Sequence, residues 1–112
     1  MQIKKTYSEV SPELLYAELR DFTLKQGVVL GESKLETFTL PDESASFGTR
    51  ATLTFNIGEG KGSKECLRAH IVGMARGETK LMIDADEKLF TKNKLAALQA
   101  DLDFIFGEYE VK

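Results

Sequence analysis

Between Arg50 and Ile57 apolar and polar side chains alternate without a break: Ala51, Leu53, Phe55 and Ile57 point one way, and Arg50, Thr52, Thr54 and Asn56 the other. Period-two alternation is the pattern of a β-strand with one buried and one wet face. Such a strand belongs to an antiparallel sheet covered on one side, because strands buried on both faces read as continuous apolar runs. The pattern recurs in Leu67, Ala69 and Ile71 and again in Leu81, Ile83 and Ala85, with Arg76-Gly77-Glu78 as the tight connection. Phe38 and Leu40, just before the turn residues Pro41-Asp42-Glu43-Ser44, predict a further strand over about 34–40. The opening Ile3-Lys4-Lys5-Thr6-Tyr7 alternates at Ile3 and Tyr7 only. Lys5 interrupts its apolar face, which places this strand at a sheet edge or a cavity mouth.

Two segments change the period. Ser11-Pro12-Glu13 is a helix start, with Ser11 to cap free amides, Pro12 suited to the first helical position and Glu13 at the positive end of the dipole. Leu15, Leu19 and Phe22 then follow at spacings of four and three, and Gly27 supplies the stop, predicting a helix over about 12–26. From Thr91 onward Leu95, Leu98, Leu102, Ile105 and Tyr109 recur at helical spacing, with Phe106 widening the stripe. Lys92 and Lys94 at the start of this helix and Glu108 and Glu110 at its end oppose the dipole, and Gly107 costs about 0.8–1 kcal/mol relative to Ala. The helix therefore depends on packing its stripe against a sheet. The resulting order is β-α-β-β-β-β-α, an α+β fold with an antiparallel sheet of about five strands, in one domain spanning residues 1–112.

Composition narrows the function. Fifteen Lys+Arg against eighteen Asp+Glu, with no basic stripe, argue against a dedicated nucleic-acid binder. A hydrophobic fraction of 42% fills a core and argues against disorder. No apolar run approaches the roughly 20 residues of a membrane-spanning helix. Met1-Gln2-Ile3-Lys4-Lys5 leads into polar residues rather than a secretory signal, so a cytoplasmic protein is expected. Cys66 stands alone, without the spacing of a redox or metal motif, and reads as a small buried residue.

Candidate chemistry is sparse. Gly58-Glu59-Gly60-Lys61-Gly62-Ser63-Lys64 joins two strands and lacks the Gly-Lys-Ser/Thr order of a phosphate loop, so it reads as a flexible hairpin loop. His70, the sole histidine, alternates to the polar side with Arg68. A hairpin closed through Arg76-Gly77-Glu78 sets His70 opposite Asp84 and Arg68 opposite Asp86, as cross-strand charge pairs worth ~0.2–1 kcal/mol each. Asp84-Ala85-Asp86-Glu87 offers too few oxygen ligands for Mg²⁺ or Ca²⁺, so no metal and no cofactor is expected.

Ile3-Lys4-Lys5-Thr6-Tyr7-Ser8 leading into Ser11-Pro12-Glu13-Leu14-Leu15, then Gly77-Glu78-Thr79-Lys80-Leu81-Met82-Ile83-Asp84 and the closing Leu95–Tyr109 helix, resemble the helix-grip fold of the START/Bet v1-like superfamily. The likeness covers most of the chain as topology, and is strongest to the short bacterial, polyketide-cyclase-like members. It implies a sheet curved around the last helix, enclosing a cavity for an apolar small molecule or lipid. The candidate lining residues are Phe38, Leu53, Phe55, Ile57, Ile71, Leu81, Ile83, Leu98, Leu102 and Ile105, the inward-alternating strand residues and the facing helix stripe. The chain departs from the pattern in having one helix after its first strand and fewer strands, and no position matches a catalytic motif of the family. Two other readings stand beside it. One is a polyketide-cyclase-like enzyme using His70 with Asp84. The other is a cavity-less interaction module, monomer or homodimer, marked by an exposed apolar patch.

Overall fold

The computed structural model describes residues 1–39, 47–58, 60–73 and 77–111. The two sequence periods divide them into five strands and two helices, in the predicted order. These are β1 (Gln2–Ser8), α1 (Pro12–Leu24), β2 (Val29–Thr39), β3 (Phe47–Ile57), β4 (Lys64–Gly73), β5 (Glu78–Ala85) and α2 (Lys92–Phe106). The strands form one antiparallel sheet in the order β1-β5-β4-β3-β2. Leu15 and Leu19 of α1 join Leu95, Leu98, Leu102 and Phe106 of α2 in one cluster with Ile3, Leu53, Phe55, Ile71, Leu81 and Ile83, so both helices cover the same sheet face.

The helix starts follow from their caps. The Ser11 hydroxyl accepts from the Leu14 amide at 3.1 Å, and the Thr91 hydroxyl accepts from the Lys94 amide at 3.4 Å. Gly27, at φ 85°, takes the left-handed conformation that ends the first helical segment. The α2 stripe differs from the prediction in its last two turns. Leu95, Leu98, Leu102 and Phe106 are buried, whereas Ile105 and Tyr109 are exposed. Phe106 meets Tyr7 edge-on, with ring centroids 5.9 Å apart, and a 3₁₀ turn over Gly107–Tyr109 then redirects the chain.

Two irregularities account for most of the mismatch at strand boundaries. β2 begins five residues before the predicted strand and contains a register shift between Leu30 and Ser33, where the Glu32 amide donates to the Thr54 hydroxyl at 2.6 Å. The shift hides the alternation from a reading of the sequence. β4 carries a second shift opposite Phe55 and Asn56, which turns Cys66 inward beside Leu67. The Cys66 thiol donates to the Phe55 carbonyl at 3.4 Å, and burial pushes its pKa up. The predicted turn Pro41-Asp42-Glu43-Ser44, Leu40, Glu59 and Arg76 lie outside the described residues.

Lys5 accounts for its own odd position. It sits on the helix side of edge strand β1, with its ammonium 3.2 Å from both Asp103 of α2 and Glu110. Burial alone lowers its pKa, but the hydrogen bonds to the two carboxylates outweigh that and hold it above the ordinary value. The segment after α2 lies along β1, where Tyr7 bridges to Glu110 and the Val111 amide donates to the Thr6 carbonyl at 2.7 Å.

Candidate functional site

The ten residues expected to line a cavity separate into two groups. Leu53, Phe55, Ile71, Leu81, Ile83, Leu98 and Leu102 come together between sheet and helices, each no more than 2% exposed. All seven belong to the buried apolar cluster that joins the sheet to the two helices. The other three lie apart from it. Ile57 is half-buried at the end of β3, and Ile105 is 40% exposed on α2. Phe38 is on the opposite, polar face of the sheet. It pairs with Gly48, and the Arg50 guanidinium lies 5.1 Å from its ring centroid. A side chain at Gly48 would collide with that ring, so the glycine makes room for it. Beyond the β2 bulge, Leu35 and Thr37 share the helix side with Ala51 and Thr49, which sends Phe38 outward. Its apolar character alone pointed the other way.

The predicted pairing of His70 with Asp84 is corrected by the register. His70 lies opposite Met82, and Arg68 opposite Asp84, because the hairpin's last pair is Gly73 with Thr79. The connection is thus longer than a tight turn on Gly77, and every partner moves by two residues. The His70 ring nitrogen Nδ1 stands 3.5 Å from the Thr52 hydroxyl. Arg68 turns to Glu65 on its own strand, with contacts at 2.9 and 3.3 Å. Asp86 accepts from the Lys88 amide at 3.0 Å and so closes the turn into Phe90. Among the described residues the register leaves His70 without the Asp84 partner that acid–base chemistry would need.

Around His70 the polar face has an open depression of about 440 Å³, lined by Lys4, Thr6, Val72, Lys80 and Met82, with Glu110 and Val111 at the β1 edge. Its floor is the sheet itself. It offers the lysine charges beside the Glu110 carboxylate, with Val72, Met82 and Val111 as apolar side chains.

The helix side carries the larger irregularity. Phe104 is 90% exposed, and Leu14, Ile105, Tyr109 and Val111 are exposed as well. The Glu18 side chain of α1 hydrogen-bonds Asp101 of α2, and that bond, with burial and the second negative charge, raises the Glu18 carboxyl pKa to about 7. Leu14 lies one turn before Glu18, and Ile105 one turn after Asp101. The start of α1 and the end of α2 both adjoin the Tyr7–Ser8 end of β1, so the two residues fall on the same side of the carboxyl contact. Leu14 on α1 and Ile105 on α2, with the still more exposed Phe104, make up the apolar seam of this end of the helix pair. The sequence carried a signal for Phe104, which stands about half a turn off the buried stripe of α2.

Among the described residues no group of three or more His, Cys, Asp or Glu side chains is placed to hold a metal ion, and no helix is long and apolar enough to cross a membrane. Compared with models of known protein families and with characterised proteins, the chain matches none.

Proposed function

We propose that this protein is a small interaction module that binds a partner on the apolar seam of α1 and α2, with its inner layer serving as core. The observation that carries this reading is Phe104, 90% exposed on a helix whose buried stripe is fully packed. Exposed apolar patches with a polar rim are a common mark of interaction surfaces, and a projecting aromatic ring is the usual anchor of one. The rim here is acidic, with Glu13 and Glu108 exposed at the helix ends that carry the seam. Apolar centre and acidic rim together fit a basic amphipathic segment of another protein.

Photo-crosslinking tests the reading. A benzophenone amino acid replacing Phe104, in the cell of origin, is expected to capture a defined partner that the same group at Thr52 on the polar face does not. Phe104→Asp is expected to abolish that partner's binding to otherwise wild-type protein while leaving the melting midpoint nearly unchanged, since exposed substitutions stay within about 0.5 kcal/mol. Equal capture from both positions would sink the proposal.

A second reading, the helix-grip binder of an apolar small molecule or lipid, is favoured by the strand order β1-β5-β4-β3-β2 with both helices on one face. It requires α2 to move off the sheet to admit a ligand. Native mass spectrometry of freshly purified protein distinguishes the two: a bound apolar metabolite supports the second reading, and the bare polypeptide mass supports the first.

A further inference from the structure

The two edges of the sheet are finished differently. At β1 the chain's own last residues cover the edge through Glu110 and Val111. At the opposite edge β2 pairs with β3 alone, and among the described residues no element pairs with its outer side. Open edges recruit other strands, and proteins commonly blunt them with charges and bulges. β2 has both, a bulge before Ser33 and the run Glu32-Ser33-Lys34-Leu35-Glu36. That run, however, is complementary to itself.

We infer that residues 33–37 of β2, beyond the bulge, pair antiparallel with the same residues of β2 in a second copy about a two-fold axis at Leu35, joining two five-stranded sheets into one. An axis perpendicular to the sheet keeps the helices of both copies on one side and sets residues of the same face opposite one another. Placed at Lys34, it brings Lys34 against Lys34 and Glu32 against Glu36. Placed at Glu36, it brings Glu36 against Glu36. Placed at Ser33, it sets Leu35 against Gly31 inside the bulge. Placed at Leu35, it brings each Lys34 against Glu36 of the second copy, so opposite charges meet twice.

The neighbouring residues favour the same register. Glu36 faces Arg50 on β3, so the pairing sets it between that guanidinium and an incoming ammonium. Lys34 already contacts Glu32 at 3.0 Å, yet its side chain is 61% exposed and open to a second carboxylate. Leu35, 45% exposed on the helix side, meets Leu35 of the second copy and is covered by it. The bond from the Glu32 amide to Thr54 holds the bulge and ends the regular edge. The pair closes on itself, because the edges left outermost are the two β1 strands, each already covered. This interface is separate from the apolar seam and does not depend on it.

Sedimentation equilibrium of the whole chain tests the inference. Wild-type protein is expected to dimerise, and Lys34→Glu or Glu36→Lys alone to raise the dissociation constant by roughly tenfold or more, since each creates two like-charge contacts. An equimolar mixture of the two variants restores opposite charges at both contacts and is expected to form a heterodimer. Circular dichroism checks folding. If Glu36→Lys fails to fold because it sets a second cation opposite Arg50, Lys34→Glu and Leu35→Asp serve in its place, each expected to yield folded monomer. A wild-type protein that stays monomeric at its highest soluble concentration, or a dimer indifferent to Lys34→Glu and Leu35→Asp, would overturn the proposal.

Discussion

Which way a side chain points is the residue-scale question, and strand parity answered it wherever the strand was regular. Leu53, Phe55, Ile71, Leu81 and Ile83 lie inward as their alternation predicts. Phe38 shows the limit, because an apolar side chain near a bulge gives no sign of its face, and here it packs under Arg50 instead. Phe55 is fully buried at the centre of the layer. Phe55→Ala is expected to destabilise by about 3–5 kcal/mol in denaturant melts, the range for large cavities in cores. A loss below about 1 kcal/mol would show that the ring is not buried there. Two glycines are expected to respond in opposite senses. A Cβ at Gly73 would run into the Pro12 ring, so Gly73→Ala is expected to cost about 1–3 kcal/mol. Gly107 has helical φ and a new methyl would meet Asp103 Cβ at an ordinary 3.9 Å, so Gly107→Ala is expected to stabilise by about 0.4–1 kcal/mol. Thermal melts of the two variants in opposite directions would confirm both environments.

At the scale of elements, existence and order were legible and registers were not. The cap at Ser11 and the two apolar stripes announce the helices, because capping and periodicity are local. The β4–β5 register depends on how many residues the connection absorbs, and the bulges in β2 and β4 depend on contacts with the neighbouring strand. Neither is written in the alternation itself. The contact between α1 and α2 was equally invisible, since Glu18 and Asp101 each read as an ordinary polar position. Its consequence is a pH dependence. In the unfolded chain Glu18 titrates near 4.3, whereas in the folded protein its pKa is about 7. Between those values the folded state holds a proton that the unfolded state has released. The contribution is therefore complete below the unfolded value and is lost as pH rises through about 7. The facing charges are Asp101 and Asp21, which add to the effect, and Lys25, which opposes it. Urea melts of wild-type protein are expected to show falling stability from about pH 5.5 to 8, with a flatter profile in Asp101→Asn. Identical slopes in the two proteins would refute the coupling.

For the whole molecule the sequence conveyed an α+β domain with one antiparallel sheet and a closing helix, and the structure has that form. The candidate site was only partly legible. Alternation separates inside from outside, but whether the inside is filled depends on how closely the helices approach, which no single stretch of sequence encodes. Here the inward residues of sheet and helices belong to one buried cluster, and the most exposed large apolar residue, Phe104, is on α2. The central claim is that this inner layer is core and that recognition takes place on the outside. Xenon tests it most directly, because the atom enters dry apolar cavities without requiring polar partners. Methyl NMR under xenon pressure is expected to leave Leu53, Ile71, Leu98 and Leu102 unshifted while exposed Leu14 and Ile105 respond weakly and without saturation. Saturable shifts of the Leu98 and Leu102 methyls would contradict the account, by revealing an internal cavity between α2 and the sheet.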